Sequence, residues 1–243
     1  FDQALSRASE TQLADFSDDE KFELGLLILA RREFERYFNV LKHDVIDRQL
    51  AEKLLGRAER LEDLLRSSGA EGFRTAVSRA LRYPRRFRQA LRVYERFGLQ
   101  SWLAYELSQR FIALMSTRSV AQQLLEFAET KLPKIIGPNA TARVAQAHRE
   151  RLELVREALH ALELQYPVYS LWLQERYLGR IARGLEREKY AEMLEQSLVS
   201  GEVYADLLEK ADARWEFLEQ DQPLDIEMSA NALVARVPLL SDC

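Results

Sequence analysis

Apolar residues recur at three- and four-residue intervals along nearly the whole chain, which is the period of an amphipathic helix. The densest stretch is LQSWLAYELSQRFIALM, residues 99–115, where Leu99, Trp102, Leu103, Leu107, Phe111, Leu114 and Met115 share one broad face. Ala104, Tyr105 and Ile112 widen that face, and the only charges, Glu106 and Arg110, stand at pairing distance one helical turn apart. So apolar a helix needs neighbours on several sides. It is read as the central post of an all-α multi-helix bundle, with Leu99, Trp102, Leu103, Leu107 and Phe111 as its packing core.

Around that post the pattern predicts about ten helices with antiparallel neighbours. A short amphipathic piece occupies 1–15. Ser17-Asp18-Asp19-Glu20 has the form of a capping box, in which the serine hydroxyl and the glutamate exchange bonds with each other's amides. It opens a helix from Asp18 to about Lys42 whose apolar face holds Leu24, Leu27, Ile28, Phe34, Tyr37, Phe38 and Leu41. A second helix, 44–66, stops at Ser67-Ser68-Gly69, and two short helices follow that meet at Pro84, which cannot continue a helix. Gly98 ends the second of these. Further helices are predicted over 117–132, 141–165, 168–185, 188–199, 203–220 and 228–237, with breaks at Pro133, Gly137-Pro138, Ser200-Gly201 and Asp221-Gln222-Pro223. Pro167 suits the first turn of the helix after it. The Gly137-Pro138 break divides the chain into a 1–137 subdomain, a 138–222 subdomain and a 223–243 linker with a final helix.

Composition agrees: in 243 residues there are 9 Gly and 6 Pro, and Leu, Ala, Glu and Arg dominate. The single cysteine, Cys243, excludes an internal disulfide, fits a reducing compartment and reads as an inert chain end. No apolar run approaches the roughly 20 residues of a membrane span. The chain starts at Phe1 and reads as a fragment or processed product.

The net charge of −4 is small, but its distribution is uneven. The segment 73–97 carries Arg74, Arg79, Arg82, Arg85, Arg86, Arg88, Arg92 and Arg96, opposed within it by Glu95 and just before it by Glu71. Acids outnumber bases from 186 to 227. The arginines read as a solvated face, as a contact for the anionic cytoplasmic leaflet, or as a dock for an acidic partner. Nucleic acid ranks last, because the chain as a whole is acidic and Phe73, Tyr83, Phe87 and Tyr94 read as core anchors.

Glu157-Ala-Leu-His160 has the Glu-x-x-His spacing of di-iron bundles, but it occurs once and the site needs it twice. No Gly-rich phosphate loop, Cys-x-x-Cys or nucleophile elbow is present. The residues therefore point to no enzyme, cofactor or metal.

The tail ALVARVPLLSD, 232–242, resembles the entry helix of a cyclic-nucleotide-binding domain, where an apolar helix leads into Val-Pro-Leu-Phe; Leu240 stands at the Phe position. No phosphate-binding cassette follows. Upstream, Phe22 to Leu41, LRVYERFGLQSWLAYEL (91–107) and the stretch from Trp215 to Asp242 resemble the cytosolic region of sodium/proton antiporters. These are the exchangers related to the plant salt-tolerance and sperm-specific proteins. The resemblance implies a cytoplasmic regulatory and dimerisation domain at the cell membrane, coupling a C-terminal ligand-sensing module to the transport domain of the same chain. It also implies a homodimer, and about a dozen membrane spans before Phe1. The alternative is a stand-alone helical scaffold that binds an acidic partner or nucleic acid through the arginine segment.

Overall fold

The computed structural model describes residues 16–42 and 45–216, and among these it is all-α. Eight helices follow one another: α1 (Asp18–Lys42), α2 (Arg48–Leu81), α3 (Arg85–Phe97), α4 (Gln100–Thr130), α5 (Pro133–Ile136), α6 (Pro138–Gln165), α7 (Pro167–Glu195) and α8 (Gly201–Trp215). The expected helices over 1–15 and 228–237, the tail 232–242 and Cys243 lie outside the described residues.

The ten helices expected within the described residues become eight: three expected divisions fall inside α2, α4 and α7, and the short α5 is added. Ser116-Thr117 does not interrupt α4: the Thr117 hydroxyl donates to the Ala113 carbonyl at 2.8 Å, so the polar group is satisfied inside the helix. The charged run after Leu185 likewise continues α7 to Glu195. The stop at Ser67-Ser68-Gly69 falls where Gly69 takes φ 53°, a left-handed conformation that favours glycine. There α2 folds back on itself, so closely that a Cβ on Gly72 would collide with the Leu64 carbonyl.

The Ser17–Glu20 box and the Gly98 stop form as expected, and Asp47 and Ser200 cap two further helices. Ser17 N–H donates to Glu20 Oε2 at 2.8 Å and Glu20 N–H donates to Ser17 Oγ at 3.3 Å. Asp47 caps α2 through the Leu50 amide at 2.8 Å, and Ser200 caps α8 through the Val203 amide at 3.3 Å. The Gly98 amide closes α3 on the Tyr94 carbonyl at 2.8 Å.

Two compact units form, each from separated stretches rather than in series at residue 137. The first takes the described residues up to Phe38, Glu52–Arg82 and Ala113–His160. Its core includes Leu26, Leu29, Leu54, Leu61, Phe73, Leu124, Val144, Leu152 and Leu159. Here α1 and α4 run antiparallel, with Tyr37 bonded to Thr117 at 3.2 Å and the Arg32 guanidinium over the Phe127 ring. The second unit takes Asn39–Ala51, Tyr83–Ile112 and the described residues from Ala161 onward. Its core includes Leu50, Phe87, Leu91, Leu103, Leu107, Phe111, Tyr166, Leu173 and Tyr177. Within it α7 and α8 form an antiparallel hairpin, tied by Arg187–Asp212 at 3.0 Å and Arg214–Glu186 at 2.9 Å.

Two expectations about buried faces are corrected. Leu103, Leu107 and Phe111 are core, but Leu99 is 54% and Trp102 37% exposed. Leu99 precedes α4 and Trp102 sits in its first turn, directly after the Gly98 reversal, where the helix has not yet reached its cover. On α1 the fully buried positions are Leu26, Leu29, Ala30, Glu33 and Tyr37, while Leu24, Leu27, Ile28 and Phe34 are half-buried and Phe38 is exposed. The face is centred on a glutamate, which a hydrophobic pattern steers away from.

Candidate interaction surface

The arginine segment does not act as one block. Arg74, Arg79 and Arg82 belong to the first unit, and Arg85, Arg86, Arg88 and Arg92 to the second. Arg74 makes a loose surface pair with Glu71 at 3.7 Å. The sharper feature is α3, RRFRQALRVYERF, which buries Phe87, Ala90 and Leu91 on one side. On the other it presents Arg85, Arg86, Arg92 and Arg96 exposed and Arg88 half-buried. None of these five arginines has an ion-pair partner among the described residues.

The corner where α3 turns into α4 adds apolar bulk to that charge. Phe97 is 67% exposed, and Leu99, Trp102 and Tyr105 are exposed beside it. Arginines flanking exposed Phe, Leu and Trp are the chemistry of a surface that meets an anionic membrane: the rings enter the headgroup layer and the cations stay with the phosphates. Trp102 and Leu99 serve this surface better than the core to which the sequence pattern assigned them.

A second surface was hidden in the sequence. On α7, Leu171, Leu178 and Leu185 recur every seven residues and are between 51% and 60% exposed. Val168, also exposed, Glu175, Ala182 and Lys189 fill the alternate positions, which completes a four–three heptad seam. Tyr169, Leu173 and Tyr177 bury the opposite side of α7, and α8 attaches through Glu186 and Arg187. The helical period of the helix as a whole conceals this seven-residue recurrence, because both sides of α7 are rich in Leu, Tyr and Trp.

The strongest electrostatic cluster lies inside the first unit. Arg151 Nη1 and Nη2 donate to the two carboxylate oxygens of Glu33, each at 2.6 Å, with both side chains buried. Burial alone would raise the Glu33 carboxyl. The Arg151 charge and hydrogen bonds outweigh it and hold the carboxyl below its usual value, while Glu33 in turn raises Arg151. Burial, and then the charge of Glu33, push the Tyr37 phenol up. His148 is buried against Phe73 with neither ring nitrogen hydrogen-bonded, and burial followed by the Arg151 charge lowers it to about 3. A neutral imidazole with no proton-accepting partner and a carboxylate locked in a bidentate pair do not make an acid–base couple. Glu157 and His160 are exposed on α6, and among the described residues no group of three or more His, Cys, Asp or Glu could hold a metal ion. No described helix is long and apolar enough to cross a membrane.

No family model, curated protein or solved structure matches this chain.

Proposed function

We propose that this chain is a cytoplasmic regulatory and dimerisation domain that lies against an anionic membrane surface, as part of a sodium/proton antiporter. The observation that carries the reading is the α3–α4 corner, where exposed Phe97, Leu99 and Trp102 stand on the same stretch as five arginines that have no acidic partner among the described residues. The resemblance of the tail to the entry of a cyclic-nucleotide-binding domain supports the antiporter setting and a regulatory role between a sensing module and a transport domain. Coupling would pass as a shift of helix packing between two discrete arrangements.

Vesicle co-sedimentation tests the membrane contact. The chain should bind vesicles containing phosphatidylserine and release them as salt rises, and it should ignore phosphatidylcholine alone. Reversing Arg85, Arg86, Arg88 and Arg92 to Glu should abolish binding, and Trp102→Ala should weaken it. Unchanged binding of the reversed variant, or preference for DNA over vesicles, would transfer the arginines to the scaffold reading with an acidic or nucleic-acid partner.

For dimerisation the seam on α7 fits a second copy of the same helix. In a parallel pair Glu175 would face Glu175 of the partner subunit, like charge on like. In an antiparallel pair with Ala182 against the partner's Leu178, Glu175 comes opposite the partner's Leu185, one helical turn from the partner's Lys189, twice by symmetry. Sedimentation of the wild type should give a dimer, and Leu171→Glu with Leu178→Glu a folded monomer. A wild-type monomer at micromolar concentration would remove this part of the reading.

A further inference from the structure

The first unit encloses a cavity of about 180 Å³ between α1, α2, α4 and α6. Its floor is the buried Glu33–Arg151 pair with Tyr37 and Thr117, and its walls are leucine, valine and alanine side chains of α2, α4 and α6. Three more arginines line it: Arg57, half-buried, and Arg60 and Arg79, both exposed and therefore at the opening.

The charge does not balance. Glu33 is the sole acid among the lining residues, and its two oxygens are taken by Arg151. Arg57, Arg60 and Arg79 have no ion-pair partner among the described residues, although Arg57 is largely withdrawn from water. Burial lowers the Arg57 guanidinium, and the adjacent Arg60 cation adds to that against the opposing influence of Tyr37. A surface arginine without a partner is ordinary. Three around one apolar hollow leave a cationic mouth over a greasy interior, which is the complement of an amphipathic anion.

We propose that this cavity binds a small anion with an apolar body, a short-chain carboxylate or phosphate monoester. The anionic head sits among Arg57, Arg60 and Arg79, and the tail lies on Leu61, Leu64 and Val155. A volume of about 180 Å³ is room for roughly six water-sized groups, so the ligand is smaller than a nucleotide.

The test is methyl-detected NMR titration with sodium hexanoate and butyl phosphate, against 1-hexanol and inorganic phosphate. Saturable shifts of the Leu61, Leu64, Leu114 and Val155 methyls with one or both amphipathic anions, and weaker ones with the two controls, support the site. The two anions separate a carboxylate from a phosphate head. Arg60→Gln, an exposed change that the fold tolerates, should weaken binding several-fold, and Arg57→Gln with Arg79→Gln tenfold or more, with unchanged melting of the free protein. Arg85→Gln, in the second unit, should leave it alone. Equal binding of 1-hexanol, equal binding of inorganic phosphate, or shifts confined to other methyls would overturn the assignment, whatever the outcome of the vesicle experiment.

Discussion

Arg151→Met should destabilise the first unit by about 3–5 kcal/mol, because it strands the Glu33 carboxylate in the interior without its partner. The pair is bidentate at 2.6 Å on both arms, with side-chain exposures of 4% for Glu33 and 8% for Arg151. Removing one member forfeits two charge-assisted hydrogen bonds and leaves the desolvation of the other uncompensated. Glu33→Leu should cost a comparable amount, since it leaves the Arg151 guanidinium buried without its carboxylate. The double change Glu33→Leu with Arg151→Met should recover most of the loss, because an apolar pair of similar bulk carries no desolvation penalty. Urea denaturation of the four proteins closes the cycle, and a coupling below about 1 kcal/mol would place the pair among solvated ones.

Acid should unfold this unit earlier than its carboxylates alone require. His148 titrates near 6.5 when unfolded and is lowered to about 3 in the folded chain. Between those values the unfolded chain takes up a proton that the folded one refuses, so falling pH favours unfolding. The stability is fully present above 6.5 and declines toward pH 3, by on the order of 5 kcal/mol in all. Glu33 acts in the same sense but only from about pH 4.5 downward, because its folded value is lowered from 4.5. His148→Phe keeps the ring contact with Phe73 and removes the imidazole. It should flatten the stability profile between pH 6.5 and 4.5, and it should not weaken the protein at pH 7, where both ring nitrogens lack partners. A wild-type profile already flat over that interval would show that His148 is solvated.

Much of the local structure was legible in the residues. The Ser17–Glu20 box, the Pro84 junction, the Gly98 stop and the reversal at Gly69 each depend on chemistry within a few positions of the chain. The basic character of α3 was legible too. Its apolar companions Leu99 and Trp102 were assigned to the core, since periodicity reports which residues share a face and says nothing of what covers it.

The least legible feature is the one with the largest predicted energy. Glu33 and Arg151 are 118 positions apart, and each looks like a surface charge on an amphipathic helix. Arg57 and Arg60 were equally ordinary until α2 brought them to a cavity whose floor that pair forms. By itself, then, the sequence determined the helical class, most helix ends and the charged face of α3, because these follow from hydrogen bonding and hydrophobic period over a few turns. Only the tertiary structure decided which polar groups went inside, which leucines stayed out and where unpaired cations gathered. A side chain's cost or benefit on burial is set by neighbours that folding brings from far along the chain.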